Sequence, residues 1–313
     1  MPAGVQTLRH VATNGSFSEF QRMDFQGTRF SVDLTNQGTR NGLENTWTKR
    51  MGDISTLIQV FPEENVDKVE ASIRVQVDGK DLNLSLLMQE DELAPLFSGA
   101  AWAGTLLWDA AVHLARRFLT DYRHQLQDPT NSLRVIELGA GIGVPGMAAR
   151  MAGAKHVVLT EQDELLRLMH VNLAANREVL RVADGTELDE HVEDKGQIVA
   201  RALSWGVQQT KEYMAQYPDE KVDVVLSCDC IYEPLYGTSW QALAQTMELL
   251  CVVNPKCIVL MGVERRNQDG IDKFLEFVKK KTKLKCTLDE ETMGSNNNRL
   301  EVYYLGLPVD ARE

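Results

Sequence analysis

The chain has 313 residues, of which 43% are hydrophobic and 25% charged, the proportions of a soluble globular protein that can bury a substantial core. Its formal net charge of −12 argues against non-specific binding to nucleic-acid phosphates, so we expect no nucleic-acid partner. No run approaches the roughly 20 apolar residues of a membrane span, and the amino terminus lacks the apolar core of a signal peptide, so we expect no membrane attachment.

The first third of the chain differs in composition from the rest. Residues 1–45 are rich in Gly, Asn, Thr, Gln and Ser with little periodicity, which predicts a loosely ordered arm. Ile54–Phe61 is strand-like, and further alternating apolar runs flank Asp78-Gly79, which predicts a β-hairpin. We interpret residues 46–90 as a β-rich extension that shields the core, with a separate binding module as the alternative, and residues 91–313 as the main domain.

The main domain opens with a predicted helix inside Asp91–Leu119. Apolar residues from Leu106 to Phe118 fall four apart and form one stripe along this helix. Trp108 lies in its first turns, where a tryptophan is more often part of the core than a ligand contact.

The stretch Leu133–Gln162 has the pattern of a strand, a glycine-rich turn, a helix and a second strand. The first strand ends in Glu137, and three glycines follow at once: Gly139, Gly141 and Gly143. At such a turn the chain bends sharply and a ligand can touch its backbone. Glu161 ends the second strand 22 positions after Gly139, about where an acid reaches the two hydroxyls of a ribose. The stretch therefore predicts a nucleotide-cofactor site.

Strands and helices continue to alternate after this unit. Further strands are predicted at Ile198–Leu203, Val222–Ser227, Ile258–Val263, Leu284–Leu288 and Leu300–Leu305. Helices are predicted at Gly237–Cys251 and Asp272–Lys281, and the acid-rich stretch Ala183–Gly196 is interpreted as a solvated insertion. The alternation indicates an α/β fold.

Polar motifs stand at the carboxyl ends of three of these strands, the edge where open α/β sheets bind ligands. Ser204-Trp205-Gly206 closes the third strand, and Asp229 to Tyr232 follows the fourth in a D-x-x-Y pattern. A buried Asp229 is also able to cap the following helix. Glu264, Arg265 and Arg266 follow the fifth strand, where substrate binding and simple solvation are equally open.

These motifs resemble a known family. E-x-G-x-G-x-G, starting at Glu137, resembles motif I of the S-adenosylmethionine-dependent methyltransferases. Gly141, Gly143 and Gly146 also match a dinucleotide pattern, but the acid before the glycines and the lack of a second domain argue against NAD. G-x-x-x-W-x-A-A-x-x-L around Trp108, L-x-W-G and D-x-x-Y resemble methyltransferase family 16, the non-histone protein lysine methyltransferases.

The resemblance covers roughly residues 91–306 through four motifs in order, with Glu161 in place of the commoner aspartate. It implies a Rossmann-like, seven-stranded, mostly parallel sheet with helices on both faces, here extended by the amino-terminal hairpin. It implies S-adenosylmethionine as cofactor, bound at Trp108, Glu137, Gly139, Ala140, Gly141, Gly143, Glu161, Gln162, Trp205 and Cys228. The predicted catalytic residues are Asp229, which captures and orients the acceptor ammonium, and Tyr232, which lines the channel.

The expected reaction is methyl transfer to a lysine of a non-histone protein. By resemblance only, chaperones, ATPases and elongation factors are the first candidate substrates. A small-molecule acceptor, a protein histidine and a catalytically silent binding module are the alternatives. Methylation of DNA or RNA is disfavoured because Tyr232 is followed by Glu233-Pro234 rather than completing an N/D-P-P-Y/F motif.

The cysteines indicate the compartment. There are 5, an odd number, and none forms a C-x-x-C pair. This usage predicts reduced thiols, a cytoplasmic location and no metal site. We expect a monomer.

Overall fold

The structure, a computed structural model, describes residues 72–86, 101–128, 130–180, 198–294 and 297–308, together with the backbone of five strands within the first 62 residues. The amino-terminal strands are β1 (Arg9–Thr13), β2 (Ser16–Met23), β3 (Arg29–Val32), β4 (Thr46–Trp47), β5 (Ile58–Pro62), β6 (Ser72–Val77) and β7 (Lys80–Ser85). Strands β1 to β3 form one antiparallel sheet and β4 to β7 another.

The predicted hairpin is confirmed. Val77 pairs with Lys80 across the Asp78-Gly79 turn, and alternate residues of β6 are buried. The remainder of the arm 1–45 lies outside the described residues, as does the predicted insertion Ala183–Gly196. The domain limits at residues 45 and 90 stay a prediction.

The main domain alternates strands and helices. A 3₁₀ helix (Ala101–Thr105) precedes α1 (Asp109–Gln127), and then follow β8 (Arg134–Leu138), α2 (Val144–Ala152), β9 (His156–Glu161), α3 (Asp163–Ala175), α4 (Arg177–Leu180), β10 (Ile198–Ala202), α5 (Val207–Gln216), β11 (Val224–Cys228), α6 (Glu233–Tyr236), α7 (Trp240–Val253), β12 (Ile258–Glu264), α8 (Ile271–Lys281), β13 (Lys285–Met293) and β14 (Arg299–Gly306). None of the helices that the structure describes is long and apolar enough to cross a membrane.

Seven of these strands form one sheet, in the order β10-β9-β8-β11-β12-β14-β13. Strands β8 to β12 are parallel, whereas β14 runs antiparallel to both β12 and β13. The predicted α/β fold with a seven-stranded, mostly parallel sheet is confirmed. The chain order reverses between β8 and β11, so a crevice opens there at the carboxyl ends of the strands.

Helices cover both faces of this sheet, because the central strands are apolar on both sides. On β8, Val135 belongs to a core cluster with Phe118 of α1, and Ile136 belongs to a second cluster with Phe274 of α8. Each of these four side chains is fully buried.

The amino-terminal hairpin is attached to α3 by two asparagines. Asn172 accepts from the Ser85 N–H at 2.7 Å and donates to the Ser85 carbonyl at 3.1 Å. Asn176 makes the same pair of bonds with Asn83, at 2.7 and 2.8 Å. Both asparagines are buried, and their amides pair with the free edge of β7 as another strand would.

Candidate active site

The predicted site residues meet at the carboxyl edge of the sheet, around the reversal between β8 and β11. The glycine turn follows β8, Glu161 ends β9, Asp229 follows β11, and Glu264 ends β12. The start of α1 lies beside them, because the Arg266 guanidinium is 5.2 Å from the centre of the Trp108 ring.

The glycine turn is packed against the 3₁₀ helix that precedes α1. Gly141 has φ = 55°, in the left-handed region, and a Cβ placed there would lie 2.8 Å from the Gly104 carbonyl oxygen. The Gly141 N–H donates to Oε1 of Glu161 at 3.2 Å, and the Ala140 N–H donates to the Thr160 carbonyl at 3.0 Å. Only glycine lets the turn approach both β9 and the 3₁₀ helix this closely.

Trp205 closes the other side of this turn. A Cβ on Gly139 would lie 2.9 Å from Cζ2 of Trp205 and 2.6 Å from Sγ of Cys230. Gly143 directly precedes α2, and its N–H donates to the Ala140 carbonyl at 2.7 Å. Gln162 directly precedes α3, and its N–H donates to the Glu161 side chain at 2.6 Å.

Two carboxylates are buried at this end of the site. Glu137 accepts from the Gly146 N–H at 2.8 Å, and burial raises its pKa to about 8. Burial also raises the pKa of Glu161 to about 7, although hydrogen bonds from two backbone N–H groups oppose that shift. In the part of the chain that the structure describes, neither carboxylate has an ion-pair partner.

This arrangement fits S-adenosylmethionine. Buried carboxylates without a cation are costly, and a ligand that carries positive charge and hydroxyl donors relieves that cost. Each carboxylate oxygen can accept two hydrogen bonds, and Glu161 uses one on each oxygen for the backbone, so capacity remains for ribose hydroxyls. The half-buried ring of Trp205 against the glycine turn offers a flat apolar wall.

Asp229 lies at the opposite end of the site. Its backbone has φ = 52°, an uncommon conformation for a residue other than glycine, and its N–H donates to the Gly262 carbonyl at 2.8 Å. Its side chain is 3% exposed. It accepts from the Glu264 N–H at 3.1 Å and forms a bidentate ion pair with Arg266, at 3.0 and 2.6 Å. Asp229 therefore does not cap a helix; it ties the loop after β11 to the loop after β12.

Arg266 is the centre of this end. Besides Asp229, it pairs with Oε2 of Glu264 at 2.6 Å, and its guanidinium carbon lies 5.6 Å from the centre of the Tyr232 ring. The charges of Asp229 and Glu264 raise the pKa of Arg266 against the effect of burial, so this guanidinium stays charged. Cys228, at the end of β11, is buried, and burial raises its thiol pKa.

The structure thus brings all twelve predicted site residues to one edge of the sheet, while their roles stay predictions. Sequence reasoning left Glu264 and Arg266 undecided, and it included Gly104 only as the first glycine of the G-x-x-x-W motif. The available signal for the two charged residues was their position: charges that directly follow a central apolar strand lie at the ligand edge. Among the described residues, no group of three or more His, Cys, Asp or Glu could hold a metal ion.

Comparisons with known proteins agree with these motifs. Residues 88–281 match a family model described as lysine methyltransferase. The chain is 70% identical over 165 residues to "Secreted RxLR effector protein 48" of Plasmopara viticola, an alignment that covers 53% of this chain and 80% of that protein.

Other similarities are more distant. Over 170 residues the chain is 29% identical to "EEF1A lysine methyltransferase 3" of Xenopus tropicalis, covering 54% of this chain and 62% of that relative, just under two thirds of its length. A solved methyltransferase of Agrobacterium tumefaciens, named as SAM-dependent, superimposes with a TM-score of 0.44 at 10% identity, over 78% of this chain and 72% of that one.

Proposed function

This chain belongs to the lysine methyltransferase family, and we propose that it transfers the methyl group of S-adenosylmethionine to a lysine side chain of a non-histone protein. The observation that carries the proposal is the position of Asp229 and Tyr232. The D-x-x-Y residues follow β11, directly beside the glycine turn after β8. We call Asp229, Tyr232, Glu264 and Arg266 the acceptor site, and the predicted cofactor residues form the cofactor site: Trp108, Glu137, the glycine turn, Glu161, Gln162, Trp205 and Cys228.

The bound cofactor supplies an electrophilic methyl group on a sulfonium, and the transfer is an in-line displacement that depends mainly on positioning. A lysine has a reference pKa of about 10.4, so presenting it neutral at pH 7 costs about 4–5 kcal/mol. The acceptor site must therefore hold the ammonium and then let its proton leave to water.

Asp229 has an acceptor position left for this task. Its Oδ1 receives hydrogen bonds from the Glu264 N–H and from Arg266, whereas Oδ2 receives one from Arg266 among the described residues. Each carboxylate oxygen has two acceptor positions. The free position on Oδ2 would orient the acceptor nitrogen, and the ring of Tyr232 would line its path.

We propose a protein substrate because the family acts on lysine, and an elongation factor comes first because one relative is named for such a target. We propose that the protein is a monomer. We also propose that it acts in the reducing cytoplasm, since all five cysteines are free. One relative is named a secreted effector, so cell fractionation with an antibody to this chain is the test of that location.

The test of the function is transfer of labelled methyl from S-adenosylmethionine into a soluble protein extract. We expect one or a few labelled protein bands, whose hydrolysis yields methyllysine. Asp229→Asn, which keeps the side-chain shape, should lower turnover about 100-fold or more while cofactor affinity, measured by calorimetry, changes less than about threefold. Asp128→Ala is the control, because Asp128 lies at the end of α1 and its side chain accepts hydrogen bonds only from Thr130 among the described residues.

Each contrary result selects an alternative. Methylhistidine in the labelled band would show a histidine acceptor. Cofactor binding without labelled protein would favour a small-molecule acceptor or a silent module. Full turnover by Asp229→Asn would remove Asp229 from the reaction.

A further inference from the structure

The acceptor site contains a cation of its own. Arg266 binds both oxygens of Asp229 at 3.0 and 2.6 Å and one oxygen of Glu264 at 2.6 Å. The side chains of the two acids are 3% and 5% exposed, so their charges face the guanidinium and not bulk water. The other oxygen of Glu264 receives a hydrogen bond from Asn298 at 2.6 Å, which fixes its carboxylate in this position.

The adjacent arginine makes different contacts. Arg265 is exposed to the same degree, 17% against 18% for Arg266, but its guanidinium pairs with Asp272 at 2.7 Å and with Asp269 and Glu301 at 3.7 Å each. None of these three acids belongs to the acceptor site. The contrast between the two arginines supplies a matched control for any effect of Arg266.

We propose that Arg266 is a positioning residue of the acceptor site, which lowers the net charge facing the acceptor amine from −2 to −1 and so lets the bound ammonium lose its proton. The proposal rests on the proposed function. Two uncompensated carboxylates would bind an ammonium tightly and keep it charged, because opposite charges within about 4–6 Å shift a pKa by about 1–3 units toward the charged form. Arg266 offsets one of these two charges.

Other titratable groups face this cluster and are common to every variant of the test. They come from α1, from the end of β11 and the residues that follow it into α6, and from the loop after β12: Asp109, Cys228, Cys230, Tyr232, Tyr236 and Asp269. Asp109 lies near Glu264 and raises its pKa, in the same direction as burial, whereas Arg266 lowers it. The effect of Arg266 on the pKa of Glu264 is therefore opposite in sign to the effect of the acidic neighbours.

The first measurement uses binding alone. The probe is n-butylamine, a butylammonium cation at pH 8, titrated by calorimetry into the full chain with S-adenosylhomocysteine bound. Arg266→Gln should bind this cation about tenfold more tightly than the wild type. Arg266→Lys, which keeps the charge, and Arg265→Gln should stay within about twofold of the wild type. Equal or weaker binding by Arg266→Gln overturns the proposal.

The second measurement is the pH dependence of kcat for methyl transfer, because kcat reports the ionisation of the enzyme–substrate complex and therefore of the bound amine. Removing the positive charge makes the amine more basic, so the rising limb of Arg266→Gln should move about one unit or more to higher pH. Arg266→Gln together with Glu264→Gln restores a net charge of −1, and its limb should return to within a few tenths of a unit of the wild type. A merely structural role of Arg266 would lower activity at all pH values and leave the limb in place.

The two readouts separate the two claims. If the wild type methylates no lysine, the proposed function fails, and butylammonium binding alone still decides the charge effect of Arg266. If lysine is methylated but the limb of Arg266→Gln does not move, the proposed function stands and the inference about Arg266 is overturned. Thermal unfolding and cofactor affinity of each variant identify any loss of folding.

Discussion

The cofactor site and the acceptor site each bury two carboxylates, but among the described residues only the acceptor site pairs them with a cation of the chain. Glu137 and Glu161 have backbone N–H groups as partners, and burial raises their pKa values to about 8 and 7. Asp229 and Glu264 share Arg266. Burying charge without a partner costs several kcal/mol, so the two ends are built for ligands of different kinds.

This difference corresponds to what each ligand must do. The cofactor carries its positive charge permanently, so a site that lacks a cation favours it. The acceptor must arrive as an ammonium and react as an amine, so a site with two uncompensated carboxylates would hold it in the unreactive form. Under the proposed function, buried carboxylates would thus serve binding at one end of the crevice and proton release at the other.

The largest effect that distinguishes the two ends should come from Gly141→Ala. The left-handed conformation costs an alanine about 1–2 kcal/mol, and its Cβ would lie 2.8 Å from the Gly104 carbonyl oxygen. We expect the free energy of unfolding to fall by about 2–4 kcal/mol and cofactor affinity to fall about 100-fold, measured by denaturant unfolding and calorimetry.

Gly79→Ala is the matched control for this change. Gly79 also has a positive φ, 77°, but a Cβ there meets nothing within 4 Å. Gly79→Ala should lower the free energy of unfolding only by the cost of backbone strain, about 1–2 kcal/mol, and leave cofactor affinity unchanged. Equal losses of affinity in both variants would show that the contact between the glycine turn and the 3₁₀ helix is unimportant.

An intermediate effect is expected where the hairpin joins the cofactor side. Asn172→Ala leaves the Ser85 N–H and carbonyl of β7 without their partner, which costs about 1–3 kcal/mol of the free energy of unfolding. Since α3 also contacts Gly104 through Leu165, we expect cofactor affinity to fall a few-fold. The rising limb of the pH profile of methyl transfer should stay at the same pH.

Val171→Ala tests whether that loss is specific. Val171 is the neighbouring residue on α3 and is 42% exposed, so its truncation should change the free energy of unfolding by no more than about 0.5 kcal/mol. If the rising limb of the pH profile of methyl transfer shifts in Asn172→Ala, the cofactor site and the acceptor site are coupled through the sheet. The two sites would then not be independent, as the comparison between them assumes.

The sequence predicts more of the cofactor site than of the acceptor site, for a physical reason. The glycine turn and Glu161 belong to one local βαβ unit, where spacing along the chain determines spacing in the fold. The ion pair of Asp229 and Arg266 joins residues 37 positions apart, from loops that become neighbours only when β11 pairs with β12. The hydrophobic periodicity of the sequence does not predict such a contact.

The same limit applies to the hairpin. Asp78-Gly79 predicts the turn, because turn chemistry is local. The buried pairing of Asn172 and Asn176 with β7 joins residues about 90 positions apart, and on sequence alone two asparagines on a helix resemble solvent-facing residues. The ion pair of the acceptor site and the pairing of the asparagines with β7 are therefore both long-range contacts, which local pattern does not predict. The order of strands and helices, in contrast, follows from local pattern.

The smallest of the expected effects is a pH dependence that belongs to the cofactor site alone. The pKa of Glu161 is raised to about 7 and that of Glu137 to about 8 in the folded protein, so each keeps its proton there over a range in which it would lose it in the unfolded chain. These two groups make the free energy of unfolding decrease as pH rises from about 4.5 to 8.

Cofactor binding should show the opposite trend, because the cationic ligand favours the ionised carboxylates. We expect its affinity, measured by calorimetry, to rise about tenfold between pH 6 and pH 8. Glu161→Gln should make the rise smaller and leave the part that Glu137, whose pKa is about 8, contributes. Glu264→Gln, a buried carboxyl of the acceptor site whose pKa is also raised, should leave the whole rise intact. A flat profile in the wild type would mean that Glu137 and Glu161 are already ionised in the free protein, and the contrast between the two ends would then rest on Arg266 alone.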